Sequence, residues 1–306
     1  MKFAVIALLL WCVLFGCKEK RKDEVVKENK VEQTAKDSVV DKTVTVILPP
    51  LEIKYYAIKD KDSILQIDKY FNDSQLKIIL AINRIDFAKL YGAEILAIPD
   101  TFLYNLKYYS PYPDSLPVLD SVNKIVLISY PAQAIGMYEK GKLIRWMPTS
   151  MGKKSTPTPT GLFHTNWKSK QTNSTDDSSW VLKWYFNLDN FRGVSLHQYE
   201  LPGHPASHAC MRLYEEDAEW LYYWAEQWKL DSAQVKILAY GTPVIIFGDY
   251  NFEQSPPWYN LPANPKQVTI TVDMLSTEIN KYLPLIIQRQ TDRDSFIRHK
   301  DTIEIQ

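Results

Sequence analysis

Apolar and polar positions change their period several times along the chain, and each change marks a predicted element. Phe3–Gly16 is almost unbroken apolar sequence behind Lys2, the layout of a signal peptide and too short to span a membrane comfortably. Residues 18–46 then alternate charges with few aromatics, which predicts a disordered tether of roughly 30 Å root-mean-square reach; a surface helix is the alternative. Ile53–Ile58 alternates like a strand. Apolar residues at 64, 67, 70 and 71, and again at 76, 79, 80 and 82, predict helices over Asp62–Phe71 and Ser74–Asn83. Gly92–Pro99 reads as a turn and strand. Residues 47–101 therefore form a small βααβ unit. Residues 102–121, with Pro111, Pro113 and Pro117 among tyrosines, read as a linker.

Strand periods dominate from 122 to 249. Ile125–Ser129 is apolar on both faces. Ala132–Tyr138 and Leu143–Met147 predict a hairpin turning at Glu139-Lys-Gly-Lys142. Thr156–Gly161 is a Pro-rich loop, and Lys168–Ser179 is polar enough to predict a mobile insertion. Trp180–Phe186 returns to strand composition, and Gly193–Leu196 is a short strand delivering His197. Acidic Glu215, Glu216 and Asp217 open a helix whose apolar face is Ala218, Leu221, Tyr222, Ala225 and Trp228. Its positive end is expected close behind Cys210, where it would lower the thiol pKa. Val235–Ala239 and Val244–Phe247 predict a last hairpin. The fold class is mainly β, a β-sandwich-like domain with one or two helices behind the βααβ unit. Residues 250–306 add a strand at Val268–Val272, a helix near 273–289 and a charged tail, with no function assigned.

Composition narrows the classes. The 36 Lys and Arg balance 36 Asp and Glu, so nothing points to nucleic acid. The 19 Tyr and 9 Trp suit core packing, or a groove for sugars or peptides. Only Cys12, Cys17 and Cys210 are present. Leu14-Phe15-Gly16-Cys17 resembles the lipobox of bacterial lipoproteins, in which Cys17 is lipidated and residues 1–16 are removed; an ordinary secretory signal is the alternative. Acyl chains would anchor Cys17 to a membrane, and Cys210 would be the one thiol left in the exported chain.

Three of the five histidines, His197, His204 and His208, fall within 13 residues of Cys210. Imidazole can take a thiol proton and hold the thiolate, so Cys210 is a candidate nucleophile. The same four residues could ligate zinc, but their spacing matches no familiar zinc pattern, and no metal or cofactor is expected.

The run Ser207-His-Ala-Cys-Met-Arg-Leu213 resembles the signature of L,D-transpeptidase catalytic domains. So do Lys124–Tyr130 with Ala134–Tyr138, Pro148-Thr-Ser-Met-Gly-Lys153 with Thr158-Pro-Thr-Gly-Leu-Phe163, and Gly241-Thr-Pro-Val244, in the same order. The resemblance covers roughly 122–249. It implies an enzyme of the bacterial cell envelope that crosslinks peptidoglycan stem peptides through a thioester on Cys210 and is inhibited by carbapenems. By position, His197 is the base and the Gln198 carbonyl orients its ring. The amides of His208, Ala209 and Cys210 form the oxyanion hole. Arg212 positions a substrate carboxylate or makes a structural salt bridge. Ser207, Tyr138 and Trp184 are candidates for the groove; His204 has no assigned role. Ala209 stands where the family has glycine, and if the position needs φ > 0 alanine costs roughly 1 kcal/mol. Leu201-Pro-Gly-His-Pro205 is similar to a compact loop in some members and fits the short gap from His197 to Cys210. Residues 47–101 resemble a degenerate LysM domain, which binds glycan chains, with Lys61-Asp62 replacing the usual Gly-Asp; a helical cap on the catalytic domain is the alternative. Two other outcomes stay open: the same fold could hydrolyse peptides or attach a protein to the wall, or the chain could be a non-catalytic glycan-binding lipoprotein.

Overall fold

A computed structural model of the protein describes residues 52–174 and 177–304. The predicted signal peptide, Cys17 and the tether lie outside them. In chain order the strands are β1 (Tyr55–Ile58), β2 (Leu96–Pro99), β3 (Ile125–Ser129), β4 (Ala134–Glu139), β5 (Lys142–Pro148), β6 (Gly161–His164), β7 (Lys168–Asn173), β8 (Val181–Asp189), β9 (Val194–Gln198), β10 (Met211–Leu213), β11 (Lys229–Leu230), β12 (Ile237–Ala239) and β13 (Pro243–Phe247). The α-helices are α1 (Lys61–Leu65), α2 (Asp73–Asn83), α3 (Glu215–Trp224), α4 (Val272–Asn280) and α5 (Leu283–Glu304).

The βααβ order is present, with β1 and β2 antiparallel. Asn72 and Gln75 form a reciprocal capping box at the start of α2. Arg84 stops the helix in the left-handed region, at φ 53°. The helix at 62–71 is shorter than its periodicity suggests: α1 ends at Leu65 and a 3₁₀ turn follows at Ile67–Lys69. Ile64, Ile67, Ile79, Leu96 and Ile98 give this unit a small core.

Two main sheets and the small β11-β12 pair make the rest of the described strands. The larger runs β5-β4-β3-β13-β6 and the smaller β10-β9-β8-β7. Val126 and Ile128 of β3 and Val244 and Ile246 of β13 pack in one core with Phe186, Leu188, Leu196 and Met211 of the smaller sheet and Ala218 and Leu221 of α3. Ile125, Leu127, Ile245 and Phe247 point to the opposite face. There they meet α2 (Ile78, Ile82), Tyr112, Leu116 and Leu119, and the C-terminal Trp258, Leu275, Ile279 and Ile286. Burial on both faces explains the unbroken apolar run of β3.

Several expectations change. Residues 102–121 are no open linker: the Tyr112 hydroxyl donates to the Leu127 and Ala134 carbonyls, and its ring packs so close to Gly136 that a Cβ there would lie 2.9 Å from it. Within Lys168–Ser179, Lys168–Asn173 is strand β7, paired antiparallel with β8. Its polar composition reflects an edge position with exposed side chains. The hairpin expected around Gly241 does not form. β12 pairs with β11, while β13 enters between β3 (parallel) and β6 (antiparallel). In place of a strand at Val268–Val272, Ile270 donates to the Pro111 carbonyl and α4 starts at once, capped by Thr271. The predicted tail continues as α5.

Besides packing α2 on the large sheet, the βααβ unit holds the Leu201–Pro205 loop. Ile85 bridges Pro202. The amides of Asp86 and Gly203 donate to the Leu201 and Arg84 carbonyls at 2.8 and 3.0 Å. The Asp86 carboxylate accepts from the Leu201 amide at 2.6 Å, and Lys89 pairs with Glu200. Arg84 is fully buried between Trp146 and Trp258, donating to the Ala132 and Ile82 carbonyls. The Leu201–Pro205 loop that leads to Cys210 is thus held from the front of the chain.

Candidate active site

Parallel pairing of β9 and β10 sets the geometry. The register puts Arg212 opposite His197 and Met211 opposite Leu196, which places Cys210 level with Ser195. Residues two apart on a strand share a face, so Ser195, His197, Cys210 and Arg212 come to one face of the sheet. The Ser195 hydroxyl donates to Cys210 Sγ at 3.1 Å, and Sγ contacts the Gly193 carbonyl oxygen at 3.1 Å. Ser195 and Gly193 were not picked out from sequence. Their contact depends on strand pairing between segments fifteen residues apart.

His197 is buried. Its Nδ1 lies 2.9 Å from the Gln198 carbonyl oxygen, which can only accept, so Nδ1 carries the proton and Nε2 is left as the basic nitrogen. Burial holds the imidazole down to about 4; the Gln198 hydrogen bond opposes this and the Arg212 charge adds to it. His197 is therefore neutral at pH 7 and able to accept a proton. Tyr185 stacks on the ring at 6.2 Å and Tyr199 meets it edge-on.

The Ser-Met-Gly-Lys block forms the bed of the loop that leads to Cys210. The Met151 carbonyl accepts from the Ala206 and Ser207 amides, and the Lys153 amide donates to the Ser207 carbonyl at 3.0 Å. Ser207 is buried, and its hydroxyl donates to the Cys210 carbonyl. Gly152 must be glycine, because a Cβ would run into the Thr156 carbonyl oxygen. Ala209 adopts φ 75°, the left-handed region in which only glycine is free of strain. His208 Nε2 lies 2.7 Å from Lys153 Nζ, and its ring is 5.9 Å from Trp180.

Arg212 makes no ion pair with a carboxylate among the described residues. Its guanidinium lies 4.6 Å over Tyr199 and donates to the Ala206 carbonyl at 3.2 Å. The salt-bridge alternative therefore has no partner here, and a cation stands beside Cys210. Burial pulls its pKa down, while Tyr199 and Cys210 favour the charged form.

Two cavities meet at the thiol. One of about 540 Å³ is lined by Trp167, Tyr185, Arg192, Ser195, His208 and Cys210. A second, about 30 Å³, lies between Trp180, His197, Tyr199, Cys210 and Arg212. Tyr138 is not in either: it is fully buried on the other face of the large sheet, donating to the Pro113 carbonyl. Trp184 packs on Tyr222 and Tyr223 of α3. His204 is exposed, with Nδ1 3.2 Å from the Pro205 carbonyl. The α3 dipole does not act closely on the thiol, because β10 intervenes and spans about 10 Å, beyond the first-turn range of the dipole. Among the described residues no three His, Cys, Asp or Glu side chains are grouped to hold a metal ion.

A two-sheet domain with a buried histidine, a cysteine and an arginine on one face matches a known class. Residues 123–246 match the YkuD family model, the L,D-transpeptidase catalytic domain. Solved structures with local likeness include an L,D-transpeptidase from Mycobacterium smegmatis (21% identity, 41% of this chain and 59% of that one, TM-score 0.33). L,D-transpeptidase 1 of Mycobacterium tuberculosis is 25% identical over 41% of this chain and 62% of that one, with TM-score 0.30. A cysteine-to-serine mutant of the Enterococcus faecium L,D-transpeptidase is 21% identical over 41% and 50%, with TM-score 0.33. Each overlap spans less than two thirds of the other chain, and the domain assignment is taken from the family match. No curated protein sequence matches the chain.

Proposed function

We propose that the protein is a cysteine acyltransferase of the bacterial cell envelope, an L,D-transpeptidase that crosslinks or remodels peptidoglycan through Cys210. The observation that supports this best is the shared face of Cys210, His197 and Arg212 inside the YkuD-type domain. His197 Nε2 takes the thiol proton, and Sγ attacks the carbonyl of the third residue of a stem tetrapeptide. The C–N bond to D-alanine breaks, and the proton passes from His197 to the departing amine. The amine of a second stem then attacks the thioester, gives its proton to His197 and expels the thiolate. Oxyanion donors come from the amides around Ala209, whose positive φ turns successive N–H groups toward one side as in anion-binding nests. Arg212 would meet a substrate carboxylate. Residues 47–101 would grip glycan, and a lipid on Cys17 would hold the chain at a membrane.

Incubation with sacculi should yield crosslinks between diamino acids, with release of D-alanine, when muropeptides are separated by chromatography and mass spectrometry. Shortened peptides without crosslinks would replace this reading with hydrolysis.

The depressed pKa of His197 sets a pH dependence. As pH falls, the imidazole stays neutral through the ordinary histidine range near 6.5 and protonates only near about 4. The acid limb of kcat/KM for acylation by a carbapenem should therefore lie near pH 4. Rates followed by intact mass across pH 3–8 check this, and a limb centred near 6.5 would contradict it.

A further inference from the structure

One face of α5 closes a separate cavity, of about 580 Å³, that shares no lining residue with those at Cys210. Ile286, Arg289, Gln290 and Arg293 line it at i, i+3, i+4 and i+7. The helix is fastened there. Gln290 donates to the Ser121 carbonyl and accepts from the Asn123 amide. Arg293 pairs with Glu226 and donates to the Tyr240 carbonyl.

The wall carries excess positive charge in a chain whose charges otherwise balance. Lys124, Lys140, Lys142, Arg289 and Arg293 face Glu139, Glu226 and Asp294. Glu226 is taken by Arg293, and Glu139 accepts from the Trp224 indole. Arg289 has no carboxylate within ion-pair distance among the described residues. Its guanidinium lies 4.0 Å over Tyr240 and 3.2 Å from His164 Nδ1. A guanidinium can only donate, so the neutral imidazole keeps its proton on Nε2. His164 is 6% exposed, and that buried Nε2 finds no acceptor among the described groups. Buried donors without acceptors are rare and costly, and cations placed at cavities attract anions.

We propose that this cavity binds a small ligand bearing oxyanions, carboxylate or phosphate, with Arg289 as its principal contact and Lys140 and Lys142 flanking it. The volume suits a small molecule, and the role gives the C-terminal extension a binding function apart from the thiol.

Calorimetric titration of the full chain with inorganic pyrophosphate and, separately, citrate tests it. At least one probe should bind one-to-one at low ionic strength and more weakly as salt is added. Arg289→Gln should weaken that binding about tenfold or more, while carbapenem acylation of Cys210 proceeds at the unaltered rate. Pyrophosphate binding alone points to a phosphate source and citrate alone to a carboxylate source, and each supports the site. If Arg289→Gln does not fold, the exposed pair Lys140→Gln with Lys142→Gln takes its place. No binding of either probe by the unaltered chain, or unchanged affinity in the variant, overturns the proposal.

Discussion

Cys210→Ser is expected to lower acylation by a carbapenem about 10³-fold or more, a loss of the size seen when nucleophiles are removed elsewhere. His197 is a weak base at about 4. Thiols are intrinsically far stronger acids than alkyl hydroxyls, so a serine hydroxyl yields its proton to such a base much less readily. The serine is nearly the same size, and Ser195 and the Gly193 carbonyl remain as hydrogen-bond partners. Stability should therefore change little, which separates lost chemistry from lost folding. A time course of adduct formation by intact mass, alongside thermal denaturation, measures both. A serine variant acylated at the original rate would remove Cys210 from the mechanism.

Arg84→Ala is expected to cost about 3–5 kcal/mol of folding stability. The side chain fills a slot between Trp146 and Trp258 and satisfies the Ala132 and Ile82 carbonyls. Truncation empties the slot and strands both acceptors. Burial lowers the arginine pKa to about 10, so the cation stays charged at pH 7, and it is shielded by two indole faces rather than by a carboxylate. Arg84→Lys should recover little, because an ammonium cannot lie flat between the rings while reaching both carbonyls. Denaturant titration reads the difference; a loss below about 1 kcal/mol would mean that the slot collapses without penalty.

Much of the strand order was legible because β3 and β4 are buried on both faces and read as apolar runs, and the Lys140-Gly141 turn has positive φ at both residues, as hairpin sequences favour. The strain position at Ala209 was legible only through resemblance, since nothing local in Ser-His-Ala-Cys demands φ > 0. What escaped was set by long-range pairing. Ser195 reaches Cys210 because β9 runs parallel to β10, and Lys153 reaches His208 because Gly152 bridges Ser207. Aromatic abundance does not say which rings reach the thiol: Tyr138 faces the far core, while Trp167, Trp180, Tyr185 and Tyr199 line the cavities at Cys210. Strand β7 was missed because an exposed edge needs no apolar period.

The bridge between Ile85 and Pro202 also limits how this chain can be cut or recombined. A shortened gene starting at Ser121 would code for the whole family-matched span, yet its product would lose the backbone partner of the Leu201–Gly203 loop. It would also leave two indoles facing an open gap. The smallest transplantable piece is therefore larger than the shared domain, and any swap of the front end must carry residues 84–89 along with the back.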